Sequence, residues 1–182
     1  EIGSHSVSHP LMTEINNTKL EREVANSKNA LQAQGINVTS FATPYGDYNQ
    51  KVLASIAKYY TNHRPFHDTG YNQWPYENYL LRVQQVQAGV SVDTVKSYID
   101  QAVANDTWLI LVFHDIQDNP STNPEDYQFS TADLTTIASY IKSQNVSTTN
   151  VSKGLVTAEK VDNLVKEPDT GTSISNGWTT DG

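Results

Sequence analysis

The chain has 182 residues, of which 37% are hydrophobic and 18% charged, and this composition predicts one globular domain rather than a charge-driven disordered chain. Its formal net charge of −8 argues against a nucleic-acid partner, because binding to a phosphate backbone depends on clustered Lys and Arg. The sequence contains no cysteine, so any metal must be bound by histidines and carboxylates.

The first predicted elements are a helix, a strand and a second helix. Apolar residues from Thr13 to Gln34 recur with the spacing of one helix face, and Gly35 follows where many helices end. The β-branched and aromatic stretch from Ile36 to Ala42 predicts a strand that leads into a tight loop, TPYG. A second helix is expected over NQKVLASIAKYY.

The same alternation continues along the chain. Strands are predicted at Leu80–Gln85 and Trp108–Phe113. Helices are predicted at Ser91–Asn105, capped by Ser91, and at Thr131–Gln144, capped by Ser130. Strands that are apolar at nearly every position and alternate with helices indicate a parallel sheet covered by helices. The longest apolar run, WLILVF, is too short to span a bilayer.

The C-terminal part is predicted to contain a strand, KGLVT, and a closing helix, AEKVDNLVK, with Thr157 as its cap. The composition then shifts to Pro, Gly, Ser and Thr without periodicity, which is typical of a linker. We therefore expect one α/β domain over residues 1–166 and a linker or tail over residues 167–182.

His5 and His9 precede the first predicted helix. If their segment is one helical turn, both imidazoles face the same side and can bind one metal ion, for which zinc is the favoured choice. Cobalt, nickel and manganese are also compatible with such ligands. The alternative is a pair of solvated surface histidines. Because Ser6 stands where a zinc-protease helix needs a glutamate, a protease site is not expected.

His114 ends the apolar strand and is followed by Asp115, at the end of a parallel strand where ligands gather. A histidine in this position is a candidate for proton transfer, and the alternative is a structural histidine bound by backbone carbonyls. His63 and His67 lie in an irregular stretch and are expected to be surface or loop residues.

Three segments together resemble the polysaccharide deacetylases, carbohydrate esterase family 4, also called the nodulation-protein-B homology domain. HSVSHP resembles the family's His-Ser/Thr-x-x-His metal motif, TPYG its Arg-x-Pro-Tyr-Gly motif, and LILVFHD the strand that presents its catalytic histidine. The segments occur in the family's order between Glu1 and Asp115. The resemblance implies an α/β fold, a distorted (β/α) barrel.

The resemblance also implies a function: a metal-dependent hydrolase that removes N- or O-linked acetyl groups from a polysaccharide and is secreted or attached to the cell envelope. His5 and His9 would bind the metal, the backbone N–H of Tyr45 would stabilise the oxyanion, and His114 would protonate the leaving group. The residues implied to bind substrate are Pro44, Tyr45, Arg64 and Trp74, the last as a wall of the pocket.

The sequence departs from the family pattern at two motifs. Ala42 stands where the family has arginine, and Arg64 and Arg82 are candidate replacements. The family's Asp-Asp motif would lie on a strand before Glu1, so an N-terminal segment or a second chain is expected to complete the barrel. Two alternatives stay open: a catalytically impaired glycan-binding homologue, and an α/β scaffold whose histidines have no special role.

Overall fold

The computed structural model describes residues 1–156 and contains the expected mixture of helices and strands. The helices are α1 (Asn17–Gln32), α2 (Gln50–Ile56), α3 (Val92–Ala104) and α4 (Thr131–Ser143). The strands are β1 (Ser40–Ala42), β2 (Asn62–Arg64), β3 (Gln84–Gln85), β4 (Leu111–Val112), β5 (Asp115–Gln117) and β6 (Gln128–Ser130). Short 3-10 turns lie at Pro44–Gly46 and Pro124–Asp126.

All three strand pairs are parallel, as the sequence predicts: β1 with β2, β3 with β4, and β5 with β6. On the other side of β1, Ser4 forms an isolated parallel bridge to Phe41. The Ser4 N–H donates to the Ser40 carbonyl at 2.8 Å, and the Ala42 N–H donates to the Ser4 carbonyl at 2.9 Å. β1 therefore lies between the N-terminal segment and β2. The predicted parallel α/β fold is confirmed.

The described chain divides into two units, one formed by Ile2–Thr148 and one by Glu1 with residues 149–156. In the first unit, Phe41 of β1 packs with buried residues of α1 and α2, among them Val24 and Ile56. A second cluster joins α3, α4 and β6 through Val86, Val95, Ile99, Phe129 and Ile137. Each such side chain contributes about 1.5–3 kcal/mol by leaving water.

Side-chain caps decide where the helices begin. α1 begins after Asn16, whose side chain accepts a hydrogen bond from the third N–H of the helix, so the predicted start at Thr13 is too early. The Ser91 and Ser130 caps are confirmed, since each side chain accepts a hydrogen bond from the first turn of its helix. Within residues 1–156 no helix is long and apolar enough to cross a membrane.

In the second unit the strand predicted at KGLVT is wrong, because residues 151–156 are helical. Asn150 starts this helix: its side-chain oxygen accepts from the Lys153 N–H at 3.0 Å, and its carbonyl accepts from the Gly154 N–H at 3.0 Å. The predicted closing helix with its Thr157 cap, and the predicted tail over residues 167–182, lie outside the described residues.

β2 was not predicted, and it carries His63 into the interior. The side chain is fully buried. Its Nδ1 lies 2.7 Å from the Tyr79 carbonyl and its Nε2 lies 3.1 Å from the Thr43 hydroxyl. A neutral imidazole with its proton on Nδ1 satisfies both partners. The prediction that His63 is a surface residue is therefore wrong, whereas His67 is exposed.

We expect His63 to make folding sensitive to acid. Burial lowers the pKa of His63 from 6.5 to about 4, even though its bond to the Tyr79 carbonyl opposes the shift. Between these pH values the unfolded chain binds a proton that the folded chain does not, so the free energy of unfolding falls as the pH is lowered, by up to about 3 kcal/mol.

Urea unfolding of the wild-type and His63→Gln proteins at pH 7 and pH 4.5 measures this dependence. His63→Gln should lose stability at pH 7 but show a smaller further loss at pH 4.5. His67→Gln is the matched control, because that side chain is exposed. An equal pH dependence in the wild type and His63→Gln would contradict the prediction.

Candidate functional site

The rings of His5 and His9 face each other at the end of the strand-like N-terminal segment. Their Nε2 atoms are 3.1 Å apart, and the rings meet edge to face with centroids separated by 4.8 Å. Two nitrogens that bind one zinc ion, each at about 2.0–2.1 Å, lie about this far apart. The Nδ1 of His5 donates to the Ala42 carbonyl at 2.8 Å, which leaves Nε2 unprotonated for a ligand. The pair therefore fits a divalent metal.

The backbone between the two histidines is a loop, not the helical turn considered from the sequence. Ser6 and His9 have φ angles of 69° and 55°, a left-handed conformation that costs energy in residues other than glycine. The Ser6 hydroxyl accepts a hydrogen bond from the His9 N–H at 3.0 Å, which closes the loop. The loop thus brings together two side chains that a helix was expected to align.

Glu23, a buried residue of α1, holds this loop from behind. Its carboxylate accepts hydrogen bonds from the N–H groups of Val7 and Ser8, both at 2.8 Å, and from the Ser8 hydroxyl at 2.6 Å. Burial alone would raise the pKa of Glu23, but the bonds from Ser8 and Val7 outweigh it and the net pKa is lowered. Glu23 is therefore an ionised anchor between the two histidines.

The loop after β1 places Tyr45 against His9. The ring centroids are 4.6 Å apart, and the Tyr45 backbone is left-handed, with φ 56° and ψ 9°. Within residues 1–156 the Tyr45 N–H makes no hydrogen bond, whereas the next two N–H groups bond to Thr43 and Pro44. The Tyr45 N–H is thus free to serve a ligand. Pro44 is buried, so its contribution is to shape the turn.

Gly46 and Asp47 fasten this loop to its neighbours. Gly46 has φ 65°, and a Cβ there would lie 2.7 Å from the Phe66 nitrogen, so only glycine fits. Asp47 accepts hydrogen bonds from the Thr13 N–H at 2.8 Å and from the Thr13 hydroxyl at 2.9 Å or less. These contacts connect the segments that carry His9 and Tyr45 to the end of β2.

His114 follows β4 and packs on aromatic rings. Its centroid lies 4.9 Å from that of Phe66, with the rings at 86°, and 5.1 Å from that of Tyr127. Partial burial, and then the positive charge of Arg64, lower the pKa of His114. Neither ring neighbour was identified from the sequence, because Phe66 and Tyr127 lie in loops without a regular pattern.

Of the two candidate arginines, Arg64 faces the histidines. It pairs in register with Ala42, so the two side chains share one face of the sheet, opposite to Phe41 and His63. Its charge contributes to the lowered pKa of His5, although partial burial is the main cause. Within residues 1–156 the half-buried guanidinium of Arg64 has no hydrogen bond or ion pair, and burial lowers its own pKa.

Arg82 and Trp74 have other neighbours. The Asn72 side chain bonds both backbone groups of Arg82, at 2.7 and 2.8 Å, and the Arg82 side chain lies against Gly70. The Trp74 ring packs on Tyr76, with centroids 5.2 Å apart. In the described part of the chain, no ring contact joins Trp74 to His114.

The His5–His9 pair has no third candidate ligand beside it in the described part of the chain. Among residues 1–156 no group of three or more His, Cys, Asp or Glu side chains is arranged to hold a metal ion. Within these residues the candidate metal site therefore consists of His5 and His9 alone. Sequence reasoning missed Glu23, although a glutamate inside the apolar stripe of a helix, between Leu20 and Val24, is a signal for a buried anchor.

The N-terminal region matches a known family: residues 1–62 match the sequence model described as polysaccharide deacetylase. No curated protein sequence matches the chain.

Three solved structures have a similar fold. The family 4 carbohydrate esterase from Streptomyces lividans, in complex with acetate, has 17% identity, a TM-score of 0.52 and coverage of 81% of this chain. The Xyl-CE4 domain of a multidomain xylanase from the hindgut metagenome of Trinervitermes trinervoides has 18% identity, a TM-score of 0.54 and coverage of 88%. A mutant of the peptidoglycan deacetylase PdaC from Bacillus subtilis has 17% identity, a TM-score of 0.50 and coverage of 91%. The chain spans 63%, 65% and 68% of these proteins, respectively.

We predict that Glu23 is required for the geometry of the histidine pair. Glu23→Gln removes the negative charge that strengthens the bonds from the Val7 and Ser8 N–H groups and from the Ser8 hydroxyl, so the loop loosens. Zinc affinity, measured by calorimetric titration, should fall by roughly 10- to 100-fold, the usual effect of removing a group that orients a ligand. The free energy of unfolding should fall by about 1–3 kcal/mol.

Glu21→Gln is the matched control on the same helix, because Glu21 bonds to Lys58, Ser55 and Tyr59 and not to the loop. It should leave zinc affinity unchanged. If Glu23→Gln binds zinc as tightly as the wild type, Glu23 does not position the histidines.

Proposed function

Because residues 1–62 match the polysaccharide deacetylase family and the chain has the fold of the family 4 carbohydrate esterases, we propose that the protein is a metal-dependent hydrolase of acetylated polysaccharides. It would cleave N- or O-linked acetyl groups and act outside the cytoplasm. The observation that carries the proposal is the facing pair of Nε2 atoms of His5 and His9, 3.1 Å apart, with Tyr45 packed on His9.

In this proposal His5 and His9 hold a divalent metal, and zinc is the first choice for imidazole ligands without thiolate. When bound, the metal supplies Lewis acidity that polarises the acetyl carbonyl and favours attack by water. We propose that a carboxylate on a strand preceding Glu1, or on a second chain, completes the ligand set.

The edge beside Ser4 supports this part of the proposal. Both backbone groups of Ser4 bond to β1, so the neighbouring groups of Gly3 and His5 point to the opposite side. Within residues 1–156 no strand pairs with that side. A further strand bound there would run directly beside the first metal ligand.

Two groups supply the remaining chemistry: the backbone N–H of Tyr45, in the loop after β1, and the side chain of His114, which follows β4. The unbonded N–H of Tyr45 donates to the oxygen that becomes negative when water attacks the carbonyl. His114 donates a proton to the departing nitrogen or oxygen. Because the pKa of His114 is lowered from 6.5, its protonated form is the minority at pH 7, and this step should already slow as the pH rises through values below the usual histidine pKa.

We propose that Arg64 takes the place of the arginine expected at position 42 and binds a carboxylate at the site. A half-buried guanidinium without an ionic partner in the described chain lacks compensation for its charge, and a carboxylate would provide a bidentate partner. Ala42 leaves room beside it on the same sheet face.

The central test is release of acetate from acetylated chitin-like, xylan and peptidoglycan oligosaccharides by the complete polypeptide loaded with zinc. His114→Ala should lower kcat by roughly 10²- to 10⁴-fold without changing zinc content, because it removes a proton donor and not a ligand. His5→Ala should lose zinc and activity together.

An unchanged rate in His114→Ala would remove His114 from the mechanism. Binding of zinc and oligosaccharide by the wild type, with no acetate released, would favour the alternative of a glycan-binding homologue. The absence of arginine at position 42 is the observation that keeps this alternative open. If zinc leaves thermal stability unchanged, the histidines have no metal role.

Removing the arginine at position 64 and placing one at position 42 tests the role of Arg64. Arg64→Met should lower kcat/KM by roughly 10- to 100-fold, the scale of a lost charge-assisted hydrogen bond. It should also raise the pKa of His114, followed by NMR, because the neighbouring positive charge is gone. The double variant Ala42→Arg with Arg64→Met should recover part of the rate. Arg82→Met is the control, and equal losses in both single variants would contradict the assignment.

A further inference from the structure

The aromatic residues around His114 form an arrangement that the proposed mechanism does not use. Phe66, His114 and Tyr127 are in mutual contact, and the Phe66 and Tyr127 centroids are 6.1 Å apart. Phe66 is nearly buried, whereas 38% of Tyr127 is exposed. The pair, called here the aromatic wall, therefore presents one supported ring and one exposed ring beside the imidazole.

The backbone holds Tyr127 in this position at an energetic cost. Its φ of 52° and ψ of 27° are left-handed, an unfavourable conformation for a bulky residue, at the end of the Pro124–Asp126 turn. Its carbonyl accepts a hydrogen bond from the Asp115 N–H at 3.3 Å, directly after His114. β5 and β6 then continue the pairing from Asp115 and Gln128. The exposed ring is thereby tied to the residue that follows the proton donor.

Phe66 is also held in place by contacts to its backbone. The backbone of Gly46 approaches it closely, and its carbonyl accepts a hydrogen bond from the Gln85 side chain at 2.9 Å. Since both rings are anchored through backbone contacts, the aromatic wall is preformed and loses little conformational freedom when a ligand binds.

We propose that the aromatic wall of Phe66 and Tyr127 binds the C–H face of a pyranose ring, the ring that carries the departing nitrogen or oxygen. The inference rests on the proposed function. His114 delivers its proton to the leaving group, so the sugar lies on the His114 side while the acetyl group lies towards His5, His9 and Tyr45. A pyranose buries its apolar face on an aromatic ring, and its hydroxyls can bond the Tyr127 hydroxyl.

The experiment uses the complete polypeptide and an N-acetylglucosamine tetrasaccharide, with the dissociation constant measured by calorimetry and KM by acetate release. Tyr127→Ala should raise both constants by roughly 5- to 30-fold and change kcat less than about threefold, since the ring binds substrate but moves no proton. Tyr127→Phe, which keeps the ring, should stay within about threefold of the wild type.

Two further variants separate the ring from the backbone. Tyr127→Asn tolerates the left-handed conformation and should match Tyr127→Ala, which attributes the loss to the ring. Val103→Ala removes another exposed apolar side chain, on α3, and should behave as the wild type. In Tyr127→Ala, hydrolysis of ethyl acetate, an ester without a sugar, should fall less than kcat/KM for the tetrasaccharide does.

The outcomes distinguish this inference from the proposed function. If the wild type releases acetate and Tyr127→Ala binds the tetrasaccharide equally well, the aromatic wall is not a sugar site although the function stands. If the wild type binds the tetrasaccharide through Tyr127 but releases no acetate, the site is confirmed and the hydrolytic function fails. A wild type that does not bind the tetrasaccharide overturns the inference.

Discussion

The hydrogen bond from His5 Nδ1 to the Ala42 carbonyl, 2.8 Å long, is the contact on which the candidate site depends. It links the His5 side chain, in the N-terminal segment, to the backbone at the end of β1. It also decides the tautomer of His5, because a carbonyl can only accept and the proton must then lie on Nδ1. The free Nε2 points to His9, and without this bond the ring could rotate away from a shared ligand.

The loops around this bond are held in unfavourable backbone conformations by contacts from outside. Ser6, His9, Tyr45 and Tyr127 all have positive φ, and each belongs to a segment near the histidines. Glu23 restrains the first of these segments, while Asp47 and the close approach of Gly46 restrain the second. Such conformations persist only where the surrounding structure imposes them. These four residues therefore lie in the segments that carry or contact His5, His9 and His114, and the proposed metal binding and proton transfer both depend on the orientation of those side chains.

The charge at the candidate site is opposite in sign to the net charge of the chain. The chain carries a net charge of −8, yet Arg64 of β2 lies near His5 and His114, and the pKa values of both histidines are lowered. Partial burial is the larger cause of both shifts, and the charge of Arg64 adds to it. An uncompensated guanidinium beside neutral imidazoles favours carboxylates, because their negative charge would relieve the imbalance whereas a cation alone would add to it.

The parallel α/β class, the caps Ser91 and Ser130, and the motifs around His5, His9 and His114 could be predicted from the sequence, because these depend on neighbours within a few positions. Which residues surround the motifs depends instead on tertiary contacts. His63 was expected at the surface and is buried, because β2 is too short to show a periodic pattern and is defined by its pairing with β1. Likewise Arg64 faces Ala42 through strand register, and Tyr127 reaches His114 through the β5–β6 pairing. Contacts between residues distant in sequence leave no local pattern, and most of this site is built from such contacts.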